Sequence, residues 1–210
     1  MIMDLGSLCK ENHIVPRGVI HIGAHEGNEL KTYNKLGLNH VLFIEANPIV
    51  FQKLRANVGA QPHVKTVNCA ISDKNGMVEL HVTSFDQSSS ILPLKKHQEL
   101  YPSIKETQKI TVESKTLDTL LKELNIPAGN FNMINIDIQG AELLALKGGI
   151  ETLTTIEAIN TEVNFEELYE GCALIHDLDQ FLSSFGFKRV KTLTPYHPSW
   201  GDAFYVKKPG

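Results

Sequence analysis

V-I-H-I-G-A-H-E-G, residues Val19 to Gly27, decides the fold of this chain together with V-L-F-I-E-A-N-P, residues Val41 to Pro48. The pattern is an apolar strand, a turn with glycines, a helix, and a second apolar strand that ends in a carboxylate. We expect Gly23 to turn the backbone with a positive φ, and Gly27 to admit a ligand where a side chain would collide. Glu45 follows Gly23 by 22 residues, about where an acid accepts hydrogen bonds from a nucleotide ribose. The two segments therefore predict a nucleoside-cofactor site.

Length and composition favour one globular domain. The chain has 210 residues, 42% of them apolar, and a formal net charge of -4. This charge disfavours a nucleic-acid substrate, because nucleic-acid-binding proteins carry a basic surface. The apolar stretches fall far short of the roughly 20 residues that span a bilayer, and the N-terminus lacks the features of a secretory signal. We expect a single domain over residues 1–210, with a capping helix within residues 1–16.

Cysteine and histidine usage favours a reducing compartment and no metal site. The three cysteines, Cys9, Cys69 and Cys172, are widely spaced and form no C-x-x-C pair, which favours a cytoplasmic protein with free thiols. Only two of the nine histidines, His21 and His25, are close in sequence. They flank a strand end and do not share a helical face, so we expect no metal.

Apolar runs and helix-period segments alternate along the chain. The predicted strands are Val19–Ile22, Val41–Ile44, Val64–Ala70, Met133–Ile136 and Ile156–Val163. The predicted helices are Glu29–Leu36, Pro48–Asn57, Leu117–Leu124, Ala141–Leu146 and Leu174–Phe185. This order predicts an α/β fold, a mostly parallel sheet with helices on both faces. Two further strands, Lys188–Leu193 and Asp202–Lys207, predict a terminal hairpin and one antiparallel strand.

One region interrupts the alternation. Met77–Thr83 and Lys109–Lys115 have the period-2 pattern of strands, and they flank a polar loop, Ser84–Gln108. A loop of this length inside a compact domain is usually functional or disordered. We interpret residues 84–108 as a flap over the acceptor side of the site; the alternative is a plain surface loop.

The glycine turn favours a cofactor without a pyrophosphate. A dinucleotide fold uses G-x-G-x-x-G so that the pyrophosphate can lie against the helix N-terminus, whereas Ala24 and His25 occupy that space here. S-adenosylmethionine has no such requirement: its amino-acid portion can rest on the turn's backbone while its ribose reaches Glu45. An NAD-dependent oxidoreductase is therefore the weaker hypothesis.

Two later motifs extend the site. In C-A-I-S-D-x-x-G, Ala70 and Ile71 could sandwich an adenine ring and Asp73 could accept from its amine. An Asx turn over residues 72–76 accounts for the same residues, and both can hold. I-N-I-D-I-Q-G-A-E places Asp137 at the carboxyl end of a strand, beside the switch point where open α/β sheets bind ligands.

The motifs together resemble the FkbM-type methyltransferase family. The resemblance extends in order from about Val19 to the closing G-D-A-F-Y-V, and I-D-I-Q-G-A-E-L-L-A-L-K-G-G (residues 136–149) is its most specific part. It implies the class I methyltransferase fold, a Rossmann-like, mostly parallel seven-stranded sheet, with S-adenosylmethionine as cofactor. It also implies O-methylation of a hydroxyl on a sugar, glycan or small natural product.

One position departs from the family pattern, which usually has Asp where this chain has His21. An acid there would attract the cofactor's ammonium group, whereas a neutral imidazole can only hydrogen-bond it. His21 is thus either a ligand contact or a buried structural residue. The full set of expected cofactor-binding residues is His21, Gly23, Ala24, His25, Gly27, Glu45, Ala46, Ile71, Ser72, Asp73, Asp137 and Gln139.

Methyl transfer to an alcohol needs a base as well as alignment of the reacting atoms. The candidate bases are Asp137, Glu162 and His197, with Asp202 and His25 also within reach of the acceptor. Asp137 could instead position the cofactor, and Glu162 could be an exposed strand-end residue. Candidate acceptor contacts are Ser88–Ser90, Phe165, Tyr169, Tyr196 and Trp200, which could equally pack the flap onto the domain.

A non-catalytic alternative stands beside the enzyme. The same fold could keep S-adenosylmethionine as a structural ligand and serve as a partner-binding subunit. The sequence does not specify the acceptor, the methylated atom or the oligomeric state.

Overall fold

A computed structural model describes residues 2–208; Met1 and residues 209–210, the ends of the expected 1–210 domain, lie outside the described part. The helices are α1 (Leu5–Glu11), α2 (Leu30–Lys35), α3 (Pro48–Val58), α4 (His97–Leu100), α5 (Leu117–Glu123), α6 (Glu142–Lys147) and α7 (Ile175–Ser183). The strands are β1 (Gly18–Ile22), β2 (His40–Glu45), β3 (Val64–Asn68), β4 (Ala70–Ile71), β5 (Gly76–Thr83), β6 (Glu106–Lys115), β7 (Met133–Ile136), β8 (Ala158–Asn164), β9 (Phe187–Leu193) and β10 (Trp200–Lys207).

Seven strands form the main sheet, in the order β3-β2-β1-β7-β8-β10-β9. The neighbours from β3 to β8 pair in parallel, and β10 is antiparallel to both β8 and β9. This confirms the predicted α/β fold with one antiparallel strand. The strand order changes direction between β1 and β7, which is the switch point where such sheets bind ligands.

Both faces of the sheet are buried, as is typical of parallel strands. Alternate residues of one strand face opposite sides, so Ile20 and Ile22 pack with α5, α6 and α7, whereas Val19 packs with α1, α2 and α3. Caps fix where these helices begin. The Asn47 side chain accepts from the backbone N–H of Ile49 at 3.0 Å, immediately before Pro48 at the first turn of α3.

The predicted third strand, Val64–Ala70, extends two residues beyond the end of the observed strand. β3 stops at Asn68, and β4 leaves for a separate three-stranded sheet in which it pairs with β6. Apolar residues continue through Cys69, so the sequence gives no sign of this switch between sheets. β5 and β6 pair antiparallel as their period-2 patterns predict, although β6 begins at Glu106, inside the predicted loop.

The predicted loop 84–108 has secondary structure of its own. It contains a 3-10 turn at Asp86–Ser88 and the short helix α4, and His81 pairs with Ser90 in an isolated bridge. The N-terminal helix is shorter than residues 1–16, because α1 begins after its cap Asp4 and ends at Glu11. All three cysteines are buried and free. No helix within residues 2–208 has the length and hydropathy to cross a membrane.

Candidate active site

A cavity of about 550 Å³ opens at the carboxyl ends of β1, β2, β7 and β8. The strand ends supply its floor, and the segment 84–108 supplies one wall, from Phe85 to Ile104. The lining residues that the sequence predicts for the cofactor are Gly23, His25, Glu45, Ala46, Ile71, Asp137 and Gln139. The sheet therefore brings most of the predicted motifs together at one place.

The two glycines of the first turn have different roles. Gly23 has a φ of 80° and lines the cavity; a Cβ there would lie 1.9 Å from the Asp137 carbonyl oxygen, so the close approach of β1 and β7 requires glycine. Gly27 also has a positive φ, but a Cβ there would meet Leu54 and Val58 of α3 and not a ligand. The structure thus places Gly27 outside the cavity lining, where this part of the turn packs on a helix.

Ala24 is likewise buried and does not line the cavity. It packs in the apolar cluster beneath α2 and α3, and its backbone N–H donates to the Ile44 carbonyl oxygen at 3.0 Å. Its contribution is to join the ends of β1 and β2.

Glu45 is held rigidly at the end of β2. The backbone N–H of His25 donates to its Oε2 at 2.9 Å, and the N–H of Asn47 donates to its Oε1 at 2.8 Å. Burial raises the pKa of the Glu45 carboxyl, although the two N–H donors oppose the shift. Each carboxylate oxygen can accept more than one hydrogen bond, so Glu45 can also bind a ligand hydroxyl.

His25 joins the glycine turn to the segment 84–108. Its Nε2 lies 3.0 Å from Asp86 Oδ1, and Asp86 also contacts Lys53 of α3. The His25 backbone has a φ of 47°, which is uncommon for a residue with a side chain. Strained residues of this kind cluster at functional sites, and Gln139, with a φ of 56°, is a second one on the same cavity.

His21 is buried and lies outside the cavity lining. Strand alternation turns it toward α2, where its Nδ1 lies 3.1 Å from the Tyr33 hydroxyl and its Nε2 lies 3.3 Å from Asn135 Nδ2. Burial lowers the pKa of the His21 ring, which is therefore neutral at pH 7. The structural alternative accounts for this residue.

The adenine motif is present only in part. Cys69, Ala70 and Ile71 line the cavity, whereas Ser72 and Asp73 do not. Ser72 is buried and its backbone N–H donates to the Lys115 carbonyl oxygen, so the chain has turned into the second sheet; Asp73 beyond it is exposed. The turn over residues 72–76 is structural, because Asn75 Oδ1 accepts from the backbone N–H of Thr116 at 2.8 Å, next to α5.

Gln139 connects the two predicted catalytic carboxyls. Its Nε2 donates to Asp137 Oδ1 and to Glu162 Oε2, both at 2.8 Å. Its Oε1 accepts from the Tyr169 hydroxyl at 2.7 Å, and its backbone carbonyl accepts from Ser90 Oγ at 2.8 Å. Gln139 thereby fixes the separation of the two carboxyls and holds the segment 84–108 over them.

Glu162 is buried, and not an exposed strand-end residue. Burial, with the carboxyls of Asp137, Glu142 and Asp202 adding to it, raises the pKa of Glu162 well above its ordinary value. Burial also raises the pKa of Asp202 to about 6. Asp202 stands opposite Glu162 in the register of β10 and β8, and its Oδ2 accepts from the backbone N–H of Ile2.

Glu142 is a buried carboxyl that sequence reasoning missed. Its Oε1 accepts from the backbone N–H groups of Ile138 and Gly140, and so shapes the turn that carries Gln139. Burial raises its pKa to about 7. A glutamate in the first turn of a helix is usually solvated, so the sequence offered no signal for this role.

The acceptor side of the cavity is aromatic. His97, Tyr101, Tyr196 and Trp200 line it together with Ser88–Ser90. The Tyr196 and Trp200 rings are stacked at 5.8 Å, and Trp200 Nε1 donates to the Tyr101 hydroxyl at 3.0 Å. His97 was not predicted, because a short helix inside a polar stretch has no clear pattern.

Of the residues predicted as bases or acceptor contacts, Phe165, Tyr169 and His197 are outside the lining. Tyr169 is buried beneath the segment 84–108, and Phe165 is partly exposed. His197 Nδ1 accepts from the backbone N–H of Ser199 at 3.1 Å, which is a local turn contact. The structure therefore does not bring His197 to the site as a base.

Carboxyls dominate the ionisable side chains of the cavity lining within the described residues. Six carboxyls line the cavity, those of Glu29, Glu45, Asp86, Asp137, Glu162 and Asp202, and no lysine or arginine of the described chain joins them. Within residues 2–208, no three His, Cys, Asp or Glu side chains are grouped so as to hold a metal ion. A lining of this sign favours a cationic ligand and disfavours a pyrophosphate.

Comparisons with known proteins agree with this geometry. A family model described as the methyltransferase FkbM domain matches residues 21–189. The 2-O-methyltransferase NoeI of Sinorhizobium fredii (strain NBRC 101917 / NGR234) is 31% identical over 175 residues, which cover 80% of this chain and 71% of NoeI.

Two solved structures have a similar fold at low identity. Magnesium protoporphyrin IX methyltransferase (ChlM) from Synechocystis PCC 6803, with bound SAM, has a TM-score of 0.52 at 7% identity, over 96% of this chain and 76% of that one. M. capricolum TrmK in complex with S-adenosyl-homocysteine has a TM-score of 0.50 at 10% identity, over 99% and 70% of the two chains. These likenesses show the fold.

Proposed function

Because this chain belongs to the FkbM methyltransferase family, we propose that it methylates a hydroxyl oxygen on a sugar, a glycan or another small natural product. It is an S-adenosylmethionine-dependent methyltransferase. The 2-O-methyltransferase relative supports oxygen as the acceptor atom.

The acidic lining of the cavity is the observation that carries the proposal. S-adenosylmethionine bears a sulfonium and an ammonium against one carboxylate, so its net charge is positive, whereas NAD is an anion. Six carboxyls and no lysine or arginine among the described lining residues suit the cation. This electrostatic mismatch, added to the missing middle glycine, disfavours the oxidoreductase.

The residues on the cavity fit the cofactor. Glu45 would accept from the ribose hydroxyls, since its oxygens are already oriented by two backbone N–H groups. Ala46 and Ile71 would offer apolar surface to the two faces of the adenine, and the backbone at Gly23 would support the amino-acid portion. When bound, the cofactor supplies an electrophilic methyl group on a sulfonium.

We assign the removal of the acceptor's proton to the Asp137 and Glu162 pair. Burial and the neighbouring carboxyls raise the pKa of Glu162 and so favour its protonated form. We assign to Asp137 the acceptance of the proton as the hydroxyl oxygen attacks. Gln139 Nε2 lies 2.8 Å from one oxygen of each carboxyl, and these two hydrogen bonds limit the movement of both groups. Alignment of the acceptor oxygen supplies the rest of the rate enhancement.

The acceptor side supports a neutral, partly apolar substrate. Aromatic rings such as those of Tyr196 and Trp200 stack on the apolar face of a sugar ring, and Ser88–Ser90 supply hydroxyls. The acidic lining and the net charge of -4 disfavour a nucleic acid. Residues 84–108 act as a flap over this side. The free thiols support a cytoplasmic location.

Transfer of an isotopically labelled methyl group tests the proposal. The protein is incubated with labelled S-adenosylmethionine and a panel of oligosaccharides and small hydroxylated compounds, and the products are analysed by mass spectrometry. We expect label on a hydroxyl oxygen, and a loss of about 100-fold or more in rate for Asp137→Asn. The Asp118→Asn variant changes an aspartate outside the cavity lining and is the matched control.

The same experiment separates the alternatives. A structural-ligand module would bind the cofactor and label no acceptor, and an oxidoreductase would bind NAD in its place. Label found only on nitrogen, carbon or sulfur would contradict the proposed acceptor class. Full transfer by Asp137→Asn would contradict the assigned base.

A further inference from the structure

Glu29 is a cavity carboxylate that no other described side chain neutralises. It precedes α2, lines the cavity beside Gly23 and His25, and is half-buried. Its side chain makes no capping hydrogen bond to the helix that it precedes, and it has no ion-pair or hydrogen-bond partner within residues 2–208. The side chain therefore contributes no visible contact that would stabilise the fold.

Glu29 follows the glycine turn whose backbone would support the cofactor's amino-acid portion. Burial lowers the pKa of His21, and the Glu29 carboxylate opposes that shift. His21 itself is engaged with Tyr33 and Asn135 on the covered side of the strand. The side chain at position 21 therefore faces away from the cavity, and Glu29 is the acidic side chain that the described segment between β1 and α2 gives to the cavity lining.

We propose that Glu29 binds the α-ammonium of the cofactor's amino-acid portion. The inference rests on the proposed cofactor site and goes beyond it by assigning a residue that no motif indicated. An ammonium presents three donors and no acceptor, so it needs an oxygen-rich partner. The half-buried position makes a charge-assisted hydrogen bond there stronger than one at the surface.

Two ligands separate this role from a general effect on the site. S-adenosylhomocysteine carries the ammonium, whereas 5′-methylthioadenosine has the same adenosine and sulfur without the amino-acid portion. In Glu29→Gln we expect titration calorimetry to show S-adenosylhomocysteine binding weakened by about tenfold or more, with 5′-methylthioadenosine changed by less than about twofold.

Glu26→Gln is the matched control. Glu26 is on the same turn but pairs with Lys53 and does not line the cavity, so neither ligand should lose affinity. A second variant, Glu29→Asp, keeps the charge on a shorter side chain. Its affinity for S-adenosylhomocysteine should lie between those of the unmodified protein and Glu29→Gln, and its affinity for 5′-methylthioadenosine should change little.

Distinct results overturn the inference and the proposed function. Unchanged S-adenosylhomocysteine binding in Glu29→Gln, or equal losses for both ligands, would overturn the role of Glu29 while leaving the cofactor site standing. Failure of the unmodified protein to bind either ligand would overturn the cofactor site itself, and this inference with it.

Discussion

At the scale of single residues, the fold places carboxyls where water cannot solvate them fully. Glu45, Glu142 and Glu162 have raised pKa values for this reason, with burial as the largest cause for each. A backbone or side-chain donor hydrogen-bonds to each of these carboxyls and fixes its position. Their positions are therefore determined before any ligand binds, which reduces the cost of organising the site.

Glu45→Ala should weaken the binding of S-adenosylhomocysteine by about 1–3 kcal/mol. The substitution removes the ribose acceptor and leaves the N–H groups of His25 and Asn47 without their partner. Calorimetry should show the same loss for 5′-methylthioadenosine, because both ligands contain the ribose. Undiminished affinity for both would remove Glu45 from the ribose.

Glu142 should make stability fall as the pH rises. Its pKa is about 7 in the folded state against an ordinary value of 4.5, so the folded protein holds this proton more tightly than the unfolded chain does. Raising the pH from 4.5 through about 7 therefore lowers the free energy of unfolding, by about 3 kcal/mol in total.

Thermal unfolding at pH 5 to 8 checks this effect. In Glu142→Gln the remaining amide oxygen can still accept from Ile138 and Gly140, and the decline in stability with pH should be shallower than in the unmodified protein. Parallel pH profiles for the two proteins would contradict the assignment.

Single residues also mark where sequence reasoning fails. The motif predicted that His21, Gly27 and Asp73 meet the cofactor, yet each is turned elsewhere. His21 follows the alternation of β1, Gly27 accommodates α3, and Asp73 follows β4 into the second sheet. A motif gives the order of residues but not which side of the backbone each faces, which depends on packing between distant elements.

At the scale of elements, the segment 84–108 is anchored at two points on the cavity. Asp86 contacts His25 on the glycine turn, and Ser90 Oγ donates to the Gln139 carbonyl oxygen. These contacts join the proposed flap to both halves of the site, the cofactor turn and the catalytic turn.

Asp86→Ala should loosen this segment without affecting the main sheet. The Asp86 side chain, which is about one-third exposed, contacts His25 and Lys53. We expect its removal to lower the free energy of local opening of this segment by about 1 kcal/mol. Amide exchange over residues 84–92 should then be roughly fivefold faster. Hydrogen exchange read by mass spectrometry measures this. Lys53→Ala leaves the contact between Asp86 and His25 in place and should have a smaller effect. Equal exchange in all three proteins would contradict the anchoring role.

Elements were predicted well where hydrophobic periodicity is strong. The strands β1, β2 and β7 and the helix α3 lie within one residue of their predicted bounds. The exceptions are places where tertiary structure decides: the end of β3, where the chain changes sheets, and α4, four residues long with no period to detect.

At the scale of the whole molecule, folding gathers acids at one edge of the sheet from β2, β8 and β10, from the segments that follow β1 and β7, and from the segment 84–108. Their sequence positions range from Glu29 to Asp202. The resemblance indicated the cofactor, but the sign of the lining emerges only once these strand ends meet. The family was thus predictable from the sequence, whereas the electrostatics of the cavity was not.

The acidic cavity should favour the cationic cofactor more strongly at higher pH. Asp202 has a pKa of about 6, so it is largely protonated at pH 5 and ionised at pH 8. The sulfonium of S-adenosylmethionine gains from this ionisation, whereas the neutral sulfur of S-adenosylhomocysteine does not. We expect the ratio of their affinities to change by about threefold to tenfold over this range.

Competition binding at several pH values measures that ratio. Asp202→Asn should flatten its dependence on pH, because the titrating charge is gone. A ratio that stays constant from pH 5 to 8 in the unmodified protein would show that the lining charges do not act on the sulfonium.

A crystal structure with S-adenosylhomocysteine tests the central claim most directly. The account predicts the nucleoside in the cavity at the carboxyl ends of β1 and β2, with both ribose hydroxyls within hydrogen-bond distance of Glu45. It also predicts the sulfur directed toward Asp137 and Glu162. Nucleoside density elsewhere, or a ribose with no contact to Glu45, would contradict it.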